Sequence, residues 1–118
     1  MSQQFAYNES ENLEGKSVQN YFGSNAAVVP SSETTLVSHT STKNEILKYV
    51  YGSGETDGRF KLYVNSTAIW NDRNAWTQRG IDKKIEKQLV SGDVVDLKVT
   101  NLKITNHLFS GGFDIYEL

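Results

Sequence analysis

Cysteine is absent from this chain of 118 residues, and proline occurs only once. Without cysteine there is no disulfide framework and no thiol nucleophile. Small β domains made for oxidising compartments often carry disulfides, so the composition leans towards an intracellular origin. No apolar run approaches the roughly 20 residues that a membrane helix needs. The opening MSQQFAYNESENLEG has neither a basic n-region nor an apolar h-region, so no signal peptide is expected from it. Two tripeptides with the glycosylation pattern, Asn8-Glu9-Ser10 and Asn65-Ser66-Thr67, are then expected to be fortuitous. An excess of positive charge is missing as well. With 12 basic and 14 acidic residues the net charge is −2, no basis for the concentrated positive field of non-specific nucleic-acid binding.

What the chain has in plenty is Ser, Thr and Asn, which fill 31 positions. Their side chains compete for backbone hydrogen bonds, which favours turns and solvated strand faces over helices. The length suits one domain with a real core. The first 25 residues show no sustained period. Phe5, Tyr7, Leu13, Tyr21 and Phe22 are scattered there among polar residues. That composition reads as an extended N-terminal arm (1–25), either frayed or ordered on a neighbour through those five anchors.

From residue 26 to 118 the pattern is β. Ala27, Val28 and Val29 run into Pro30, which suits a strand end or an edge. ETTLVSHT (33–40), EILKYVY (45–51) and RFKLYVN (59–65) alternate or are rich in Thr and Val. In the last of these, Phe60, Leu62 and Val64 point one way while Arg59, Lys61 and Tyr63 point the other. Asn65-Ser66 can close a tight hairpin into the next strand. IDKKIEKQLV (81–90) is ambiguous. Ile81, Ile85 and Leu89 are spaced for a helix, but a Ser-Gly-Asp turn joins the segment to the plain strand VVDLKVTN (94–101), which favours a strand. FDIYEL closes the chain. Gly52-Ser53-Gly54 and Gly111-Gly112 read as turns between strands. Seven to eight short strands without intervening helices predict an all-β, antiparallel β-sandwich, immunoglobulin-like or jelly-roll-like.

Signals for catalysis are weak. His39 and His107 have no local Ser or Asp signature of a nucleophile site, so no catalytic residue is assigned and no enzyme is expected. Glu55/Asp57 and Asn71/Asp72/Asn74 lack the spacing of a calcium loop, so neither a metal nor a cofactor is expected. Asp93, in QLVSGDVVDLKVTN, has no partner acid, base or metal spacing and reads as part of a chain reversal. The segment WNDRNAW (70–76) offers two readings. Trp70, Arg73 and Trp76 could form a carbohydrate site of flat rings ringed by polar forks, or one indole is a core plug and the other covers a loop.

The succession RFKLYVN, QLVSGDVVDLKVTN and FDIYEL resembles the small β-sandwich structural modules of tailed-bacteriophage virions. Those modules similarly run a Phe-x-x-x-Val strand, a Gly-Asp hairpin, a Val-x-Leu-x-Val-Thr-Asn strand and a closing strand. The resemblance covers about half of the chain and carries over no site residues. It implies a non-enzymatic virion protein, a capsid decoration or a neck or tail accessory subunit. Its partners would be other virion proteins and copies of itself, with no nucleic acid and no membrane. Such a protein is made in a host cytoplasm and ends in the virion. The competing expectation is a carbohydrate-binding module for host-surface recognition.

Overall fold

The computed structural model describes residues 18–75 and 77–118. Eight antiparallel strands follow one another without a helix among them: β1 (Val18–Val28), β2 (Glu33–Thr40), β3 (Glu45–Gly54), β4 (Gly58–Val64), β5 (Thr67–Arg73), β6 (Gly80–Leu89), β7 (Val94–Asn101) and β8 (His107–Glu117). They form two four-stranded sheets, ordered β1-β8-β3-β6 and β2-β7-β4-β5. Every strand but one is followed by a strand of the opposite sheet; only β4 and β5 form a hairpin. This is the jelly-roll order, and the immunoglobulin order, in which neighbouring strands pair repeatedly, does not apply.

The ambiguous 81–90 segment is strand. Ile81 and Leu89 turn inward from β6 onto the core, while Asp82, Lys83, Lys84, Glu86 and Lys87 lie exposed along an open sheet edge. A slip in the pairing between Leu47 and Tyr49, with Glu86 at φ 61, marks a bulge in β6. The β4–β5 turn has positive φ at both central residues, Asn65 (51) and Ser66 (70), the signature of a type I′ hairpin.

The core fills from inward positions of both sheets. Leu47, Val50, Leu62, Leu89, Val95, Leu97, Phe113 and Ile115 form its larger part. Val28, Phe60, Val99 and Phe109 close the other end, where Phe60 and Phe109 meet edge to face at 6.1 Å. The glycines read as turns lie inside strands, and Gly92 is the only described glycine with positive φ. A Cβ on Gly52 would strike the Phe60 ring, and one on Gly54 or Gly58 the Phe109 ring. These positions are small because large rings lie over them.

Residues 18–25, expected as part of the arm, lie in β1. Val18 to Asn25 pair with β8 from Tyr116 to Phe109, so this stretch belongs to the sandwich. Its alternation is masked because Gln19, Tyr21, Gly23 and Asn25 face inward, and Phe22 faces out, 57% exposed. Phe5, Tyr7 and Leu13 lie outside the described residues.

Buried asparagines staple the loops at one end. Asn101 donates to Val28 O (2.9 Å) and Thr105 O (2.8 Å) and accepts from the Lys103 N–H (2.8 Å). Asn74 accepts from the Gly58 N–H (2.8 Å) and donates to Thr56 O (3.0 Å) and Arg79 O (2.9 Å). At the opposite end, Asp93 accepts from Asn65 Nδ2 and from the Val90 N–H, each at 2.9 Å. The Gly-Asp turn therefore joins β6 in one sheet to β7 in the other, as an arch rather than a hairpin.

Candidate functional site

The outer face of the β1-β8-β3-β6 sheet contains a cleft of about 590 Å³, within the range of ligand sites. Strand pairing explains it. Phe22, Gly112, Tyr51 and Asp82 form one register row across the sheet, and Ser24, Ser110, Ser53 and Gly80 form the next. The first row has bulk at Phe22 and Tyr51, and the second has almost none. A trough paved by Ser53, Ser110 and the strand backbone is thus walled by two aromatic rings.

Tyr51 is held in place. Its hydroxyl lies close over Gly112 and accepts a hydrogen bond from Asn20 Nδ2, which also donates to Asp114 Oδ1 at 2.6 Å. Burial, chiefly, pushes the Tyr51 phenol above its ordinary value, and the Asp114 carboxylate adds to this while the Asn20 contact opposes it. The phenol therefore stays protonated at neutral pH. The far wall comes from Asp72 near the end of β5, Gln78 in the β5–β6 connection, and Ile81 and Asp82 at the start of β6. Asn74 sets that wall: two of its side-chain hydrogen bonds tie the connection to Thr56 and Gly58 at the β3–β4 turn, and the third closes on Arg79 O within the connection.

A second, smaller cleft of about 250 Å³ opens at the other end, lined by Gln19, Tyr21, His39, Thr42, Lys43, Glu45 and Glu117. Glu45 is only 4% exposed. Its Oε1 lies 3.0 Å from His39 Nε2 and accepts from Ser41 Oγ at 2.8 Å. Hydroxyl and imidazole converge on one carboxylate oxygen and do not touch each other in a nucleophile–base pair. Tyr21 stacks on His39 at 4.2 Å, so Tyr21 serves the interior of the sandwich. The other histidine, His107, contacts Thr105 Oγ1 (2.9 Å) and Glu55 (3.3 Å) on the surface.

No protein-family model matches the chain, and no curated protein does. The site rests on geometry alone.

Of the expected carbohydrate trio, Trp70 faces inward opposite Leu62 and packs against both parts of the core. Arg73 sits exposed at the end of β5, 3.8 Å from Asp57. Trp76 lies outside the described residues. Among the described residues of WNDRNAW, only Asp72 lines the large cleft. Among the described residues no group of three or more His, Asp or Glu side chains could hold a metal ion. Reading along the chain missed Tyr51, Ser53, Gln78, Gly80, Asp82 and Ser110, because alternation assigns a face but cannot say which small residues stand beside one another across strands. The paired small positions Ser53 and Ser110 were visible only as polar residues near glycines.

Proposed function

We propose that this protein is a non-enzymatic structural component of a bacteriophage-like virion, a capsid decoration or a neck or tail accessory subunit, acting through protein–protein contacts. One observation carries the assembly part of the reading. The two open sides of the sandwich differ in charge. On one side β5 and β6 carry Asp72, Arg73, Asp82, Lys83, Lys84, Glu86 and Lys87, the kind of charge that blocks edge pairing. On the other side β1 contains no charged residue over its whole length, and neighbouring β2 contains only Glu33 and His39. An uncharged strand edge, with exposed Val18 and Phe22 beside it, suits a neighbouring subunit. The jelly roll is an architecture of viral capsid domains, though also of lectins, so the virion part rests on the sequence resemblance.

The reading implies synthesis in a host cytoplasm and partners that are virion proteins or further copies of the chain. Two measurements test it. Sedimentation of the full chain should show self-association that the double variant Val18→Lys/Ser24→Lys abolishes without lowering its melting temperature. Mass spectrometry of purified particles should find the protein at a stoichiometric copy number. A chain that stays monomeric at all concentrations and is missing from the particles would refute the proposal.

A further inference from the structure

The large cleft contains a glycine that the fold does not require. Gly80 opens β6 opposite Ser53, and its backbone lies outside the left-handed region, where Gly92 is the only described glycine. A Cβ built on Gly80 would meet nothing within 4 Å. The inward glycines leave room for rings, yet at Gly80 neither packing nor dihedral excludes a side chain. Glycine weakens a strand and often marks a place where a ligand approaches closely. What its small size achieves is an open trough between Tyr51, Phe22 and the Asp72–Asp82 wall.

We infer that this trough is a binding site for a neutral saccharide, seated against Tyr51 and Phe22 and held by Asp72, Asp82, Gln78, Ser53 and Ser110. The chemistry of the lining selects this class. Among the described residues, two carboxylates and no basic side chain line the cleft, so phosphate, sulfate and acidic sugars meet repulsion. Asp82 makes no side-chain hydrogen bond or ion pair among the described residues, and Asp72 uses one oxygen on the Arg73 N–H at 2.8 Å. Both retain acceptor capacity for hydroxyl groups. A bare amine would use those acceptors but leave the Gln78 amide and the two serine hydroxyls without a role as donors. Sugar hydroxyls both donate and accept, and the C–H face of a pyranose packs on aromatic rings, so one ligand employs the whole lining. The inference shares Phe22 with the assembly reading but does not need it, since the lining is complete within one chain.

The test uses the full chain and glucose, galactose and N-acetylglucosamine oligosaccharides at up to millimolar concentration, by calorimetry and by amide chemical-shift mapping. Acidic glycans and Lys-rich peptides serve as competing probes. A neutral oligosaccharide should bind and shift the amides of Tyr51, Ser53 and Ser110. Gly80→Leu should weaken it by about tenfold or more with an unchanged melting temperature, because its Cβ meets nothing within 4 Å and the rest of the side chain extends into the open trough. Asp82→Asn, at an exposed and unpaired position, should weaken binding several-fold and serves as the readout should Gly80→Leu fold poorly. The inference is overturned if no neutral saccharide binds, if acidic glycans or basic peptides bind instead, or if both variants keep full affinity.

Discussion

At the scale of single residues, the polar groups that matter most to stability are amides. Asn101 is fully buried and its side chain makes three hydrogen bonds to backbone, one to Val28 at the end of β1 and two to Lys103 and Thr105 in the β7–β8 loop. Asn101→Ala leaves two carbonyls and one N–H without partners and is expected to cost about 2–4 kcal/mol. Urea denaturation should show a lower midpoint with an unchanged slope. Asp93 supplies a pH dependence. The Asn65 amide first, and the Val90 N–H second, hold its carboxyl below the ordinary value of 3.8. A carboxyl with a depressed folded-state pKa adds stability above its unfolded value, and that share disappears as pH falls through the folded one. The stability gap between the wild type and Asp93→Ala should therefore be full at pH 6 and shrink below about pH 4, as chemical melts across that range would reveal. Tyr63 offers a spectroscopic check on the β2–β4 neighbourhood. Its hydroxyl donates to Glu33 at 2.5 Å, and chiefly for that reason its pKa is pushed up to about 12. Glu33→Gln should return one tyrosine to the ordinary range near 10 in an ultraviolet pH titration.

At the scale of elements, hairpin chemistry and edge position decide what each segment does. Ser66 sits at φ 70, a conformation that costs a side-chain-bearing residue about 1 kcal/mol. Ser66→Gly produces the preferred Asn-Gly pair and should raise the melting temperature by roughly 3–5 °C, measurable by calorimetry. β1 shows how an edge strand hides in a sequence. A strand buried on one face normally alternates plainly, but here Gly23 faces in because Leu36 of the other sheet comes too close for a Cβ, and Phe22 faces out into the cleft. Removing residues 1–25 strips β8 of its partner over Val18–Asn25 and should unfold the protein or lower its stability severely; removing residues 1–17 leaves every described pairing in place and should not. Circular dichroism on the two truncations distinguishes these outcomes. β6 resolves in the opposite sense: the four-residue spacing of Ile81, Ile85 and Leu89 was compatible with a helix, but an even spacing also puts the same residues on one face of a strand.

At the scale of the whole molecule, the chain ends meet early strands with late ones. β1 lies beside β8 and β2 beside β7, while β4–β5 is the only pairing of consecutive strands. Few native pairings can form locally, so loop closure must be met before most contacts reward it. Refolding from urea should accordingly take milliseconds to seconds, not microseconds, in stopped-flow fluorescence. Topology also explains where the candidate site lies. Phe22, Tyr51, Asp82 and Ser110 are far apart in sequence and come together only because β1, β8, β3 and β6 are adjacent in one sheet.

What the sequence determined by itself was whatever depends on neighbours along the chain. Alternation in RFKLYVN and VVDLKVTN put Phe60, Leu62, Val64, Val95, Leu97 and Val99 in the core, and Asn65-Ser66 announced its hairpin. The abundance of Ser, Thr and Asn and the shortage of helical periodicity announced an all-β sandwich. Tertiary structure alone decided sheet order, the true start of the sandwich within the supposed arm, the inward turn of Trp70 and the cleft around Gly80. Each of these depends on which strand lies next to which, an outcome of long-range packing that leaves no fixed spacing along the chain.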